Sequence, residues 1–262
     1  MTGKGFVMAT GICLGLGIAA PSFGATHHTA SKPAARTSAP AETVDPAAVK
    51  ALRDMSAFLQ TLPAFELTSE TSLDLVQNNS QKIQMDRVAH YTVRKPNAFV
   101  VNVESDAWNR RYIYDGHQFT LYAPKLDYYA TWPAPATIQA TISEIESRFG
   151  VSIPLDDLFR WSSAEGARAD SLTGAFLVGT ATLDGVKTNQ YAFREGQIDW
   201  QIWIQQGDKP LPLKLVIVDR RDTANPAYTA RLSWTLNPTL TDQDFAFRPD
   251  QDAKRIRITL QQ

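Results

Sequence analysis

The chain has 262 residues, a formal net charge of −1 and 44% apolar side chains. That length suits one large domain or two small ones, and a charge near zero gives no clustered basic footprint for a nucleic-acid partner. The single cysteine, Cys13, excludes a disulfide framework and a Cys-based zinc site.

The first residues have the pattern of an export signal. Lys4 is followed by an apolar run from Phe6 to Ala20, and Pro21 then breaks it. The run is short for a membrane span, and Ser22-Phe23-Gly24 supplies small residues for processing before Ala25. Residues 1–24 are therefore read as a cleaved signal peptide, against the alternative of an uncleaved anchor. Cys13 follows Ile12 early in the run, so lipidation is not expected. Residues 25–44, rich in Ala, Ser, Thr and Pro, read as a disordered linker, and His27-His28 within it as incidental. The folded domain is expected over 45–262.

Asp45-Pro46 has the chemistry of a helix start. Val49, Leu52, Met55, Phe58, Leu59 and Leu62 then recur at helical spacing until Pro63 stops them. The rhythm next changes to period two. Phe65, Leu67, Ser69, Thr71, Leu73 and Leu75 alternate with polar residues, which predicts a strand with one wet face. Asn78-Asn79-Ser80 turns the chain, and Ile83, Met85, Arg87, Ala89, Tyr91 and Val93 share one face of the return strand. Phe99, Val101 and Val103 follow Lys95-Pro96-Asn97. A hairpin at Asp115-Gly116 joins Arg111–Tyr114 to Phe119–Tyr122, and a short strand runs from Tyr128 to Trp132.

The middle of the chain is helical. Ile138, Ile142, Ile145 and Phe149 mark one helix face ended by Gly150, and Pro154–Phe159 predicts a second, short helix. Residues 161–170 have no assignable pattern. Strands return at Ala175–Thr182, Val186–Phe193, Ile198–Ile204, Leu213–Ile217 and Tyr228–Leu236. Phe245 and Phe247 would pin the tail, and Lys254–Leu260 would add an edge strand. About eleven strands with no βαβ alternation predict a mainly β fold. One curved antiparallel sheet, an incomplete barrel, would wrap around an N-terminal helix and a mid-chain helical insert.

Catalytic signatures are sparse. His90 falls out of phase with the apolar face of its strand, His117 sits in the hairpin turn, and neither has metal-ligand spacing. Asp156-Asp157 suit the first turn of a helix, and Glu144 and Glu146 cannot share a helix face. No nucleophile elbow or phosphate loop is present. The richest signal is aromatic: six Trp, eight Tyr and twelve Phe. A curved sheet closed by thin helices tends to hold an aromatic-lined cavity for an apolar ligand. The candidate lining is Leu73, Tyr91, Phe99, Trp200 and Trp234 from the strands, with Ile138 and Ile142 from the insert. Arg87 falls on the same face and needs either an inward carboxylate or an anionic headgroup.

Several motifs occur together: Asp45-Pro46-Ala47 with Leu52-Arg53-Asp54-Met55, Arg94-Lys95-Pro96, Tyr112-Ile113-Tyr114-Asp115-Gly116 and Leu121-Tyr122-Ala123-Pro124. Tyr128-Tyr129-Ala130-Thr131, Arg148-Phe149-Gly150-Val151, Asp199–Ile204 and Pro210–Leu215 follow. Over residues 45 to 258 this chain resembles the DUF2092 family of predicted periplasmic proteins, which is similar to the lipoprotein-carrier folds of the Lol A and Lol B class. The resemblance implies an incomplete barrel lidded by helices, and a lipid or lipoprotein acyl chain as ligand. It carries no site residue over.

The expectation is then a periplasmic, non-enzymatic carrier or chaperone without cofactor or metal, in transient contact with membranes. The alternative is a packed envelope module that binds a protein partner through its surface or a sheet edge. A hydrolase ranks third.

Overall fold

The computed structural model describes residues 43–105, 108–161 and 169–257; the expected signal peptide, the expected linker up to residue 42 and most of the unassigned 161–170 stretch lie outside them. Asp45 caps the first helix, α1 (Pro46–Thr61), by accepting a hydrogen bond from the Ala47 amide at 2.8 Å. One face of α1 (Ala48, Leu52, Met55 and Leu59) is buried. At its other end the Lys95 ammonium donates to the carbonyls of Leu59 and Gln60, both at 2.9 Å, and the Leu62 amide also donates to Leu59 at 3.3 Å. Burial holds the Lys95 pKa below the ordinary lysine value.

Six strands then meander: β1 (Ala64–Val76), β2 (Lys82–Arg94), β3 (Ala98–Glu104), β4 (Asn109–Tyr114), β5 (Gln118–Ala123) and β6 (Tyr128–Pro133). The β4–β5 hairpin follows from its turn chemistry. Asp115 Oδ1 accepts from the amides of His117 at 2.9 Å and Gln118 at 2.7 Å. Gly116 takes φ 97°, and a Cβ there would come within 2.9 Å of the Asn97 side chain. A second meander follows the helical middle: β7 (Gly174–Leu183), β8 (Val186–Glu195), β9 (Ile198–Gln205), β10 (Pro212–Asp219) and β11 (Ala227–Leu236).

The two meanders join in one sheet because β11 pairs with β1, from Phe65 opposite Leu236 to Leu73 opposite Tyr228. The order is β12-β6-β5-β4-β3-β2-β1-β11-β10-β9-β8-β7. β12 (Lys254–Arg255) lies parallel to β6, and Val44 makes an isolated parallel bridge to Ala175 of β7. The count is twelve rather than about eleven, and the sheet stays open, with β7 at one edge and β12 at the other.

This order explains where the helices lie. The chain leaves β6 near one edge and must reach β7 at the other. It crosses the concave face as α2 (Ile138–Phe149) and α3 (Asp156–Trp161). Thr137 caps α2, accepting from the Ala140 amide at 3.2 Å, and Gly150 ends it at φ 63°. Ile138, Ile142, Ile145, Leu158 and Phe159 join α1 and the inward strand residues in one core.

The outer face is not wet over β3 to β5. Ala98, Val100, Ile113 and Tyr122 point outward yet are buried, because the C-terminal tail folds back over them. Phe245 fills the patch beneath the Arg94 guanidinium, 4.7 Å from its ring centre, and Arg94 also meets Asp242 at 2.7 Å. Phe247 packs on Tyr129 and Tyr122, with ring centres 5.0 and 5.5 Å apart. Tyr122 donates to Asp250, and that hydrogen bond is the main reason its pKa is pushed up to about 12.

Candidate functional site

Strand register decides which side chains face the helices. Pairing of Tyr91 with Leu67 and Val101, and of Phe99 with Val93 and Tyr114, puts all six on the concave face. Tyr91 and Phe99 are fully buried there. Phe159 of α3 reaches both rings, 6.3 Å from Tyr91 and 5.4 Å from Phe99 between centres. The Tyr91 hydroxyl donates to the Pro154 carbonyl at 3.0 Å and so tethers the link between α2 and α3 to the sheet. Tyr114 donates to the Pro135 carbonyl ahead of α2. Burial raises the pKa of Tyr114 and keeps the phenol neutral.

The remaining predicted positions divide between this covered centre and its margins. Ile138 and Ile142 are buried under α2 in the same core. Trp200 is half-buried on β9, stacked on Phe193 at 4.2 Å and beside Trp161 at 6.4 Å. Trp234 is half-buried beside Phe65, and its indole donates to the Pro212 carbonyl at 2.8 Å. It also lines a groove of about 770 Å³ with Leu183, Val186, Leu211 and Leu213. Leu73 and Arg87 lie further out, half-buried at the end of the face that β1 and β2 carry past the helices.

At that end the inward carboxylate considered for Arg87 is not found among the described residues. Its guanidinium instead lies over the Trp108 ring, 5.1 Å from the centre. Arg110 lies 5.4 Å from the same ring and hydrogen-bonds the neighbouring Asn109 carbonyl at 2.8 Å. Tyr112 is buried next to them, its pKa raised by burial and drawn back by the charges of Arg110 and Arg87. Tyr228, across the β1–β11 seam, has a buried hydroxyl without a hydrogen-bond partner, and burial raises its pKa. Sequence reasoning missed Trp108, Arg110, Tyr112 and Tyr228 as a group. The period-two rhythm of β4, with Arg110, Tyr112 and Tyr114 on one face, was the available signal.

His90 lies on the outer face, 3.1 Å from Thr68 Oγ1, and His117 is exposed in its turn. Among the described residues no group of three His, Cys, Asp or Glu is placed to hold a metal ion.

Comparison with known proteins adds the following. A family model described as "Predicted periplasmic protein (DUF2092)" matches residues 48–259. No curated protein matches. Solved structures with similarity include an uncharacterized conserved protein from Thermus thermophilus (13% identity, TM-score 0.49, covering 80% of this chain and 99% of that one). LprF from Mycobacterium bovis is similar at 11% identity and TM-score 0.44, covering 80% and 99%. A LolA superfamily protein from Nitrosomonas europaea is similar at 9% identity and TM-score 0.36, covering 76% and 97%.

Proposed function

Since the chain belongs to the DUF2092 family of predicted periplasmic proteins, we propose that it is a non-enzymatic periplasmic carrier that shelters an apolar ligand, such as a lipid or a lipoprotein acyl chain, against the concave face of its sheet. The observation that carries this reading is that the apolar face overruns the helices meant to cover it. Beyond the filled centre around Tyr91, Phe99 and Phe159, the half-buried Leu121, Trp132, Trp200, Ile217, Tyr228 and Trp234 all pack at its margin. Scattered apolar residues at a surface are ordinary, whereas a contiguous apolar margin of this kind marks a ligand or interaction site. Hydrogen bonds from Tyr91 and Tyr114 and the contact of Ile138 N with the Pro96 carbonyl at 3.0 Å hold the helical crossing to the sheet. For the crossing to lift and the aromatic floor to accept a chain, these links would have to break and Ile142, Ile145 and Phe159 would have to leave the core.

The test is native mass spectrometry of protein taken from the periplasmic fraction, followed by uptake of a fluorescent acyl probe by the delipidated protein. Co-purified lipid and saturable uptake are expected. Apo mass alone together with no uptake overturns the carrier reading.

A second reading, an envelope module that binds a protein partner, draws on a different observation. Edge strand β7 has no charged residue, and Phe176, Leu177 and Val178 are 55, 50 and 48% exposed. Val44 bridges this edge at Ala175, and the exposed stretch beyond it accepts an added strand. Capture of one defined envelope protein, lost on substituting Phe176 or Val178, would favour it.

A further inference from the structure

At the open end of the concave face, two arginines share one indole. The guanidinium carbons of Arg87 and Arg110 lie 5.1 and 5.4 Å from the Trp108 ring centre. Among the described residues no carboxylate pairs with either one. Asp157, whose charge acts on Tyr228, is 3.9 Å from Arg160 on its own helix. Holding two like charges on one ring in a half-buried place is costly without an anion to offset them. Tyr228 adds a buried hydroxyl that has no partner. The groove that reaches Arg87 also carries Glu70, Asp86 and Glu104, and the apolar side of the surroundings lies along β1 and β2. Leu73, opposite Tyr228 and Met85, shares this face, and Met85 and Ile83 remain 36 and 42% exposed.

We infer that this end of the face binds the anionic head of an amphiphile, a carboxylate or a phosphate, between Arg87 and Arg110. The Tyr228 hydroxyl donates to it, and the apolar chain runs past Leu73 and Ile217 toward Trp200. The inference rests on the carrier reading and sharpens it from an apolar ligand to an anionic amphiphile. A guanidinium is suited to the head because its planar donors match carboxylate and phosphate oxygens. The indole that both arginines contact keeps the guanidinium groups in place without neutralising them.

The experiment compares three probes below their critical micelle concentrations: pyrene-labelled hexadecanoate, pyrene-labelled lysophosphatidate, and the matching neutral alcohol. Delipidated full-length protein should bind the better of the two anions about tenfold or more tightly than the alcohol, since charge-assisted hydrogen bonds are roughly twice as strong as neutral ones. The stronger of the two anions identifies carboxylate or phosphate as the source. The preference should shrink as ionic strength rises. In R87M/R110M it should collapse to about the affinity of the alcohol, with alcohol binding kept. Equal binding of all three probes by the wild type overturns the head-group inference and leaves the carrier reading standing. Binding of none overturns the carrier reading, and the inference with it. If the double variant fails to fold, the salt dependence of the wild-type preference decides: a preference indifferent to salt overturns the inference.

Discussion

Removing the Tyr91 hydroxyl separates a lid from a fixed part of the core. In Tyr91→Phe the ring stays in its buried place beside Phe159, and the 3.0 Å hydrogen bond to the Pro154 carbonyl is lost. A neutral hydrogen bond of this kind contributes about 1 kcal/mol, and stranding the buried acceptor brings the loss to about 1–2 kcal/mol. If the α2–α3 crossing opens by itself, that loss falls on the closed form alone and shifts the closed-to-open ratio roughly five- to thirtyfold. Hydrogen exchange followed by mass spectrometry should then show amides of 156–161 exchanging faster by about that factor. The slowest amides of β2 and β3 should keep their rates, and acyl-probe uptake should quicken. Equal acceleration in α3 and in the strands would refute the reasoning, because the helices would then open only with global unfolding.

Three further outcomes are expected. Met55→Ala, at a fully buried position of α1, should cost about 2–5 kcal/mol in urea unfolding; a cost under about 1 kcal/mol would place α1 outside the cooperative core. The clamp between Tyr122 and Asp250 should be sensitive to alkali. A phenol whose pKa rises from 10.0 to about 12 on folding stabilises the fold fully below the unfolded value and ceases to do so as pH climbs through the folded one. The stability gap between wild type and Tyr122→Phe should accordingly be widest at neutral to mildly alkaline pH and close toward the upper value, as followed by urea midpoints; a gap that stays constant would sink the clamp. Val178→Lys on the exposed edge should leave the urea midpoint within about 0.5 kcal/mol. It should also reduce self-association in light scattering at high concentration, and unchanged scattering would show the edge to be already protected.

Much of the architecture could be read from local chemistry. Asp45-Pro46 marked the start of α1, the alternation from Phe65 to Leu75 marked β1, and Asp115-Gly116 marked the hairpin. Period-two phasing also placed Tyr91, Phe99 and Arg87 on one face. What escaped depended on partners distant in sequence. Val100 and Ile113 alternate as wet-face residues, and the return of Phe245 from far along the chain makes them buried. Arg87 could be assigned a face but not a neighbour, because Trp108 comes from the loop before β4, and no periodicity fixes where a loop side chain lands. The helices crossing the concave face follow from β6 and β7 lying near opposite margins of one sheet, a fact of strand order and not of any local motif.

The seam between β1 and β11 bears on how the molecule is assembled. Each half is a ladder of neighbours close in sequence, but Phe65 meets Leu236 only when nearly the whole folded region exists. Until then the first half carries a naked strand border along β1, greasy on one side and ready to hydrogen-bond with any extended chain it encounters. A chain delivered amino end first therefore spends its most adhesive interval waiting for its own eleventh strand, and a holdase in its compartment would find its best grip there.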